Sequence, residues 1–566
     1  MLSRSLRFAV NVSLFAAGAA QAAPVLEKRY IVRDGGQVRD FETVVEPAGV
    51  VLYETGVVRK ISARRVVTPG VLVRLENAAD AAAVAAQSGA ASWKPAPVLA
   101  DAVILTFNGN AGEALPAAET LRSMKGVRSA EPLLARQQVK RWTPNDPLFA
   151  YNATNAGYQW HLKNTGQNGG TAGIDINVST VWDTWRGSGM RIGIIDDGLQ
   201  VTHPDLSGNV DTANDFDWNG NDGDPSPASA DRHGTGCAGA AAGRGNNSLG
   251  VCGAAPEATL VGLQLISGVS TDATESAAFL HRNDIIQVKN NSWGPDDGGN
   301  VIEGPGTLTT AALAESAGSG RGGRGTIVLW AGGNGLANGD DSNFDGYANS
   351  IYVIATGAVT DNGTQANYSE PGANLLITTP SDGGTQGIST TDLAGAPGYN
   401  SGGGGDFTSA DYTNGFGGTS AASPVAAGAV ALLLQSKPNL GWRDVKEILI
   451  RSATKVHVSD AGWFNNAVGF HFNDKYGAGL LNVNAAVTLA AGWNNLAAMA
   501  SHTVNSPGAI AIPDSSAAGA VKTFTMTAAT NVRVEQAAVA VNVTHSRRGQ
   551  LEVHLTSPSG TVCRLA

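Results

Sequence analysis

The chain has 566 residues and a formal net charge of −10 at pH 7. That length exceeds one domain and suits about two to four, and the acidic balance excludes a nucleic-acid partner, which would need a basic face. Hydrophobic residues make up 42%, with 72 glycines and few aromatics, a composition that fits a globular α/β protein.

Arg4 and Arg7 precede a mostly apolar run from Phe8 to Ala20, and Ala20-Gln21-Ala22 forms a small-residue cleavage site. Residues 1–22 therefore read as a secretory signal peptide. The run is too short to span a bilayer. The expected product is secreted, extracellular or periplasmic, with no membrane anchor. Cys237, Cys252 and Cys563 are the only cysteines. An odd count leaves at least one thiol without a partner in the chain.

Residues 23–141 alternate strand-like runs (Val71 to Leu75, Ala102 to Phe107) with helix-like runs (Asp80 to Gln87, Ala114 to Met124). They end in Lys140-Arg141, a dibasic pair in a charged stretch where proteolysis concentrates. This is either an ordinary linker or the end of a propeptide removed after Arg141. Residues 142–493 predict a parallel sheet with helices on both faces. The expected strands are Arg191 to Ile195, Thr259 to Leu263, Ile285 to Val288, Thr326 to Trp330 and Ile351 to Thr356. Ser423 to Leu434 is apolar all round, as a buried helix would be. In residues 494–566, Ala537 to Val543 and Leu551 to Thr556 alternate like strands of an all-β module.

Three segments carry the chemistry: IGIIDDGLQVTHPDL (192–206), DRHGTGCAGA (231–240) and GFGGTSAASPVAAGA (415–429). They set Asp196, His233 and Ser420 in that order. A serine hydroxyl needs a base to take its proton, for which His233 is the candidate. A fixed carboxylate, Asp196, can orient the imidazole and stabilise its cation. Ser420 opens a buried helix, whose N-terminal field favours developing negative charge. WAGGNG (330–335) places Asn334 just after an apolar strand, where its amide can hold an oxyanion beside the Ser420 N–H.

The order Asp, His, Ser is that of subtilisin, and the chain resembles the subtilisin-like serine proteases of the kexin and furin convertase type. The resemblance rests on Asp196-Asp197-Gly198, HGTGCAG, NSWGP (291–295), NFDGYANSIY (343–352), YSEPG (368–372) and GWRDVKEIL (441–449). HSRRGQLEVHLTSPSGT (545–561) is similar to part of the P domain, a jelly roll. The resemblance implies a signal peptide (1–22), an inhibitory and chaperoning propeptide (23–141), an α/β subtilisin-like catalytic domain (142–493) and a partial P domain (494–566).

By the same resemblance, Ser292, Trp293, Gly294 and Pro295 form a wall of the S1 pocket and pair with an extended substrate. Asp297 and Asp345 line S1, so cleavage is expected after Arg or Lys. Asp197 and Asp224 match acids that select a basic P2 residue, and Glu303 matches one for P4. Two calcium sites are implied, Asp146, Asp205 and Asn247 for the first, and Asp297, Asp340 and Glu370 for the second. Calcium suits such oxygen-rich sets.

Departures from the family pattern also occur. The loop Ile266 to Val269 lacks acids that the family carries, although Asp272 and Glu275 are nearby, and Cys252 finds no partner in residues 390–400. The expected protein is a calcium-dependent, self-processing monomer. Its partners are protein or peptide substrates and its own propeptide. A broad-specificity degradative subtilase and a catalytically silent binding protein are the alternatives.

Overall fold

The computed structural model describes residues 12–15 and 29–566, except 35–36, 47–48, 56–63, 109–110, 137–140, 152–157, 229–230, 396–397, 403–404, 507, 517 and 527–532. The signal segment lies outside the described residues apart from the strand Val12–Phe15. Lys140 also lies outside them. The chain separates into two compact units, residues 19–140 and residues 1–18 with 141–566.

The smaller unit is an antiparallel sheet with two helices. Its strand Arg65–Leu75 lies between Ala102–Thr106 and Val127–Ala135 and pairs with both. Val71, Val73 and Leu75 on this strand are fully buried with Leu105. Helices Ala81–Ser88 and Ala114–Arg122 contribute Val84, Leu115 and Leu121 to the same core. Both strand-like and both helix-like runs of the sequence lie on these elements.

The larger unit is built on seven strands, β1 (Arg191–Asp196), β2 (Phe216–Asp217), β3 (Thr259–Gln264), β4 (Val288–Asn291), β5 (Ile327–Ala331), β6 (Val353–Val359) and β7 (Leu375–Pro380). All pairings are parallel, in the order β2-β3-β1-β4-β5-β6-β7. Residues 192–196 of β1 are buried without interruption, as a strand covered on both faces requires. The strand order reverses at β1. The space beyond its carboxyl end is the usual ligand position in such sheets.

Six helices pack around the sheet: α1 (His233–Ala242), α2 (Asp272–Leu280), α3 (Thr307–Gly323), α4 (Gly418–Ser436), α5 (Trp442–Ser452) and α6 (Val483–Ala491). Among the described residues, α4 alone is long and apolar enough to cross a membrane, and it is packed inside the unit. Small residues let α1 approach its neighbours. A Cβ on Gly239 would lie 2.2 Å from Thr391 Oγ1, and one on Gly428 of α4 would lie 2.5 Å from Ala241 O.

Two expected strands need correction. The run Ile285 to Val288 is mostly a turn, with the N–H groups of Ile285 and Ile286 donated to Arg282 O. The strand begins at Val288 and continues through Lys289, Asn290 and Asn291, all buried. Hydrophobic patterning cannot see a buried polar strand. Lys289 is tolerated because its ammonium donates to Ala278 O, Phe279 O, His281 O and Asn283 Oδ1 at the end of α2. Ala537 to Val543 forms no strand and carries only a single bridge residue, Ala537. In the C-terminal segment a hairpin joins His554–Thr556 to Val562–Arg564.

Candidate active site

Asp196 closes β1 and is fully buried. His233 opens α1, and its Nδ1 lies 2.8 Å from Asp196 Oδ1. A Cβ on Gly234 would meet Gly198 O at 2.1 Å, so only glycine lets α1 start this close to β1. Burial works against a charge on His233, but neighbouring Asp196 and Cys237 hold its pKa well above the ordinary value. Cys237 is itself pushed up to about 11 by burial and is an uncharged thiol at neutral pH. Asp196 is therefore the charge that acts on His233.

Ser420 lies in the first turn of α4, where N–H groups lack intrahelical acceptors. Its Oγ donates to Ser292 O at 3.1 Å. Pro424 within α4 cannot donate to the carbonyl four residues back. That carbonyl, Ser420 O, instead accepts from Ser292 Oγ at 3.0 Å and from Cys237 Sγ at 3.6 Å. The segment 291–295 is thereby bound to the serine turn. Trp293 Nε1 donates to Ile195 O at 3.0 Å, next to the triad aspartate.

Asn334 lies against the turn that carries Ser420. Its Oδ1 accepts from Thr419 N at 2.8 Å and Thr419 Oγ1 at 3.0 Å. This fixes the amide so that Nδ2 points away from Thr419, and Nδ2 donates to Asp297 Oδ2 at 3.4 Å. Asp196, His233, Ser420 and Asn334 are thus gathered by β1, α1, α4 and the turn after β5.

A cluster of carboxylates adjoins Asn334. Glu370 Oε1 accepts from Gly335 N at 2.8 Å, and Asp340 Oδ2 accepts from Gly299 N at 2.8 Å. A Cβ on Gly335 would meet Asp297 O, Asp340 Cβ and Glu370 Oε1, so the glycine leaves these acids room to converge. Burial raises Glu370 to about 9, helped by Asp340, Asp297 and Asp345. Asp345 is raised to about 7 by burial and by Asp297 and Asp340. Its carboxylate lies where a Gly294 Cβ would be 3.0 Å away, on the wall formed by residues 292–295. Carboxylates so crowded and dry are stable as anions only with a cation among them. The chemistry of this donor set fits calcium on one side and a substrate guanidinium or ammonium on the other.

The second oxygen-rich set also comes together. Asp205 is fully buried and Asp146 nearly so. Asn247 Nδ2 donates to Asp205 Oδ1 at 2.7 Å, and Asn246 N and Asn247 N donate to Asp146 at 2.7 and 3.1 Å. Burial raises Asp205 to about 6, and Asp146 adds to the rise. Two buried acids facing one another again fit a cation.

The proposed P2 acids fare differently. Asp197 caps α1, its oxygens accepting from His233 N at 3.0 Å and Gly234 N at 2.7 Å. Asp224 is exposed in a turn, accepting from Ser226 N and donating its own N–H to Asp222. Asp231, two residues before His233, accepts from Ser267 Oγ at 2.6 Å and was not singled out by motif. Glu303 is exposed, and its backbone bridges to Asp345. Glu275 lies six residues beyond the loop Ile266 to Val269 in sequence. It is buried with Oε2 accepting from Tyr347 OH at 2.8 Å, which links it to the Asp345 loop. No contiguous pattern could have placed it there. Cys237, Cys252 and Cys563 are all free thiols.

Residues 187–479 match the model of the subtilase family, and residues 534–566 match that of the proprotein convertase P-domain. A PC3-like endoprotease variant B from Hydra vulgaris is 38% identical, the match covering 77% of this chain and 60% of the relative. Proprotein convertase subtilisin/kexin type 7 from Mus musculus is 36% identical over 76% of this chain and 57% of its own. Furin from Bos taurus is 34% identical over 77% of this chain and 53% of its own. The chain thus spans little more than half the length of these curated relatives. The crystal structure of an Aeromonas sobria serine protease in complex with its chaperone superposes with a TM-score of 0.62 at 26% identity, covering 72% of this chain and 78% of that one.

Proposed function

We propose, from the premise that the chain belongs to the subtilase family, that it is a secreted, calcium-dependent serine endopeptidase. It cleaves after Arg or Lys, prefers dibasic sites, and processes its own propeptide after Arg141. The observation that carries this reading is the junction of two arrangements at Asn334. On one side lie the His233–Asp196 pair and Ser420. On the other lies the acid cluster Asp297, Asp340, Asp345 and Glu370.

In the reaction, His233 takes the Ser420 proton as Oγ attacks the peptide carbonyl. Asp196 holds the imidazole and balances its charge. The Asn334 amide and the Ser420 N–H receive the oxyanion. His233 then protonates the leaving amine, and water repeats the sequence on the acyl-enzyme. Asp345 and Asp297 hold the P1 cation, and Ser292 to Gly294 pair with the substrate backbone as an added strand. Bound calcium would neutralise Asp297, Asp340 and Glu370 and so keep the S1 wall in place. A second calcium would be held by Asp146, Asp205 and Asn247.

Selection upstream of P1 rests on Asp197 and Asp224 for P2 and Glu303 for P4. The test is a matched fluorogenic pair, Lys-Arg and Ala-Arg at P2-P1, assayed with calcium and with chelator. Calcium-dependent preference for Lys-Arg is expected. Equal cleavage of both would leave P1 specificity alone and contradict the dibasic preference.

A further inference from the structure

We propose that Asp382 is a positioning residue for the oxyanion hole, acting through the turn Gly417–Gly418–Thr419; this rests on the serine-peptidase reading above. Asp382 follows β7 and has no part in the triad, the acid cluster or the calcium sets. Its Oδ1 accepts from Gly418 N at 2.8 Å and from the Tyr368 hydroxyl at 2.5 Å. Beside it, Ser381 Oγ donates to Gly418 O at 2.7 Å, and the Tyr368 hydroxyl oxygen lies 3.0 Å from Ser381 Oγ. Both backbone polar groups of Gly418 are therefore held by adjacent side chains.

Gly418 is where such a hold matters. It has φ +74°, a left-handed conformation, and it immediately precedes Thr419 and Ser420. A residue with that freedom can swing the turn unless something fixes its peptide planes. Thr419 N and Oγ1 in turn orient the Asn334 amide. The chain of contacts runs from Asp382 to Gly418, to Thr419, to Asn334. The fit is close. A Cβ on Gly417 would come within 2.1 Å of Asp382 Cγ, so the carboxylate occupies the space a side chain at 417 would need.

Oxyanion donors help only when they are aimed before the reaction begins. A loosened turn would weaken transition-state binding and leave ground-state binding almost unchanged. The Asp382 charge is engaged by Gly418 and Tyr368, which directs it toward holding the turn.

The experiment compares Asp382→Ala and Asp382→Asn in the full chain, each alone and combined with Asn334→Ala, on an Arg-containing peptide. Asp382→Ala is expected to lower kcat about 10- to 100-fold with KM nearly unchanged. Asp382→Asn keeps an oxygen that accepts from Gly418 N–H and is expected to retain most activity. In the Asn334→Ala background, the further loss from Asp382→Ala should largely disappear, because the hole it supports is already broken. The same fold loss in both backgrounds would overturn the proposal, as would a loss confined to KM or an equal loss in Asp382→Asn. If Asp382→Ala fails to fold, Tyr368→Phe replaces it with the same non-additivity required. If Asn334→Ala itself leaves kcat unchanged, it is the underlying peptidase reading that fails.

Discussion

At the scale of single residues, the chemistry depends on groups that are few and tightly held. Asn334 has its Oδ1 fixed by Thr419, so its amide is spent on donation. Asn334→Ala is expected to lower kcat about 100- to 1000-fold with little change in KM, measured by steady-state kinetics on an Arg peptide. His233 must be neutral to act as base, and its pKa lies above the ordinary value because of Asp196. Activity should therefore rise with pH through that raised pKa. Asp196→Asn should move the midpoint of the surviving activity downward, and an unmoved midpoint would mean another group titrates. Asp196, His233, Ser420 and Asn334 can be singled out in the sequence because each sits near glycines in a contiguous motif. Glu275 and Asp231 cannot, because what brings them to the site is a fold contact with Tyr347 or Ser267.

Elements follow the same division. Strands covered on both faces and made of apolar residues, such as β1, were readable as runs. β4 was displaced by several positions because Lys289, Asn290 and Asn291 are buried polar residues. Helix α1 packs closely on the strand Ile388–Thr391 where Gly239 leaves no side chain in the way. Gly239→Ala should lower the melting temperature markedly, because overpacking a core costs about 1–3 kcal/mol. Helix α5 carries a buried cation with a different signature. Lys446 donates to Ile351 O and Val353 O at 2.9 Å, and burial lowers its pKa to about 7. Above that value the folded chain releases a proton that the unfolded chain keeps, so this residue's contribution to stability rises from about pH 7 toward 10. Below pH 7 the penalty is complete. Lys446→Met should therefore compare more favourably with the unsubstituted chain at pH 6 than at pH 9.5 in thermal melts. A constant difference would show that the amine is not buried in this way.

At the scale of the whole molecule, the proposed calcium sites lie at two buried acid sets whose crowded charges burial disfavours. Chelation is expected to lower its melting temperature and abolish cleavage, and calcium should restore both. The C-terminal segment is tied to the same unit through a near-bidentate pair, with Arg443 Nε and Nη2 at 3.0 and 3.1 Å from Glu535. Both side chains are largely buried. Arg533 likewise pairs with Glu447 of α5. These pairs join distant segments, and neither was readable from local pattern. The most direct measurement compares peptides differing only at P1, Arg against Ala, using purified protein and its Ser420→Ala variant in calcium. The Arg peptide should be cut after that residue, the Ala peptide spared, and Ser420→Ala should cut neither and keep its propeptide. Equal cleavage of both peptides, or processing at Arg141 by purified Ser420→Ala protein, would contradict the proposed function.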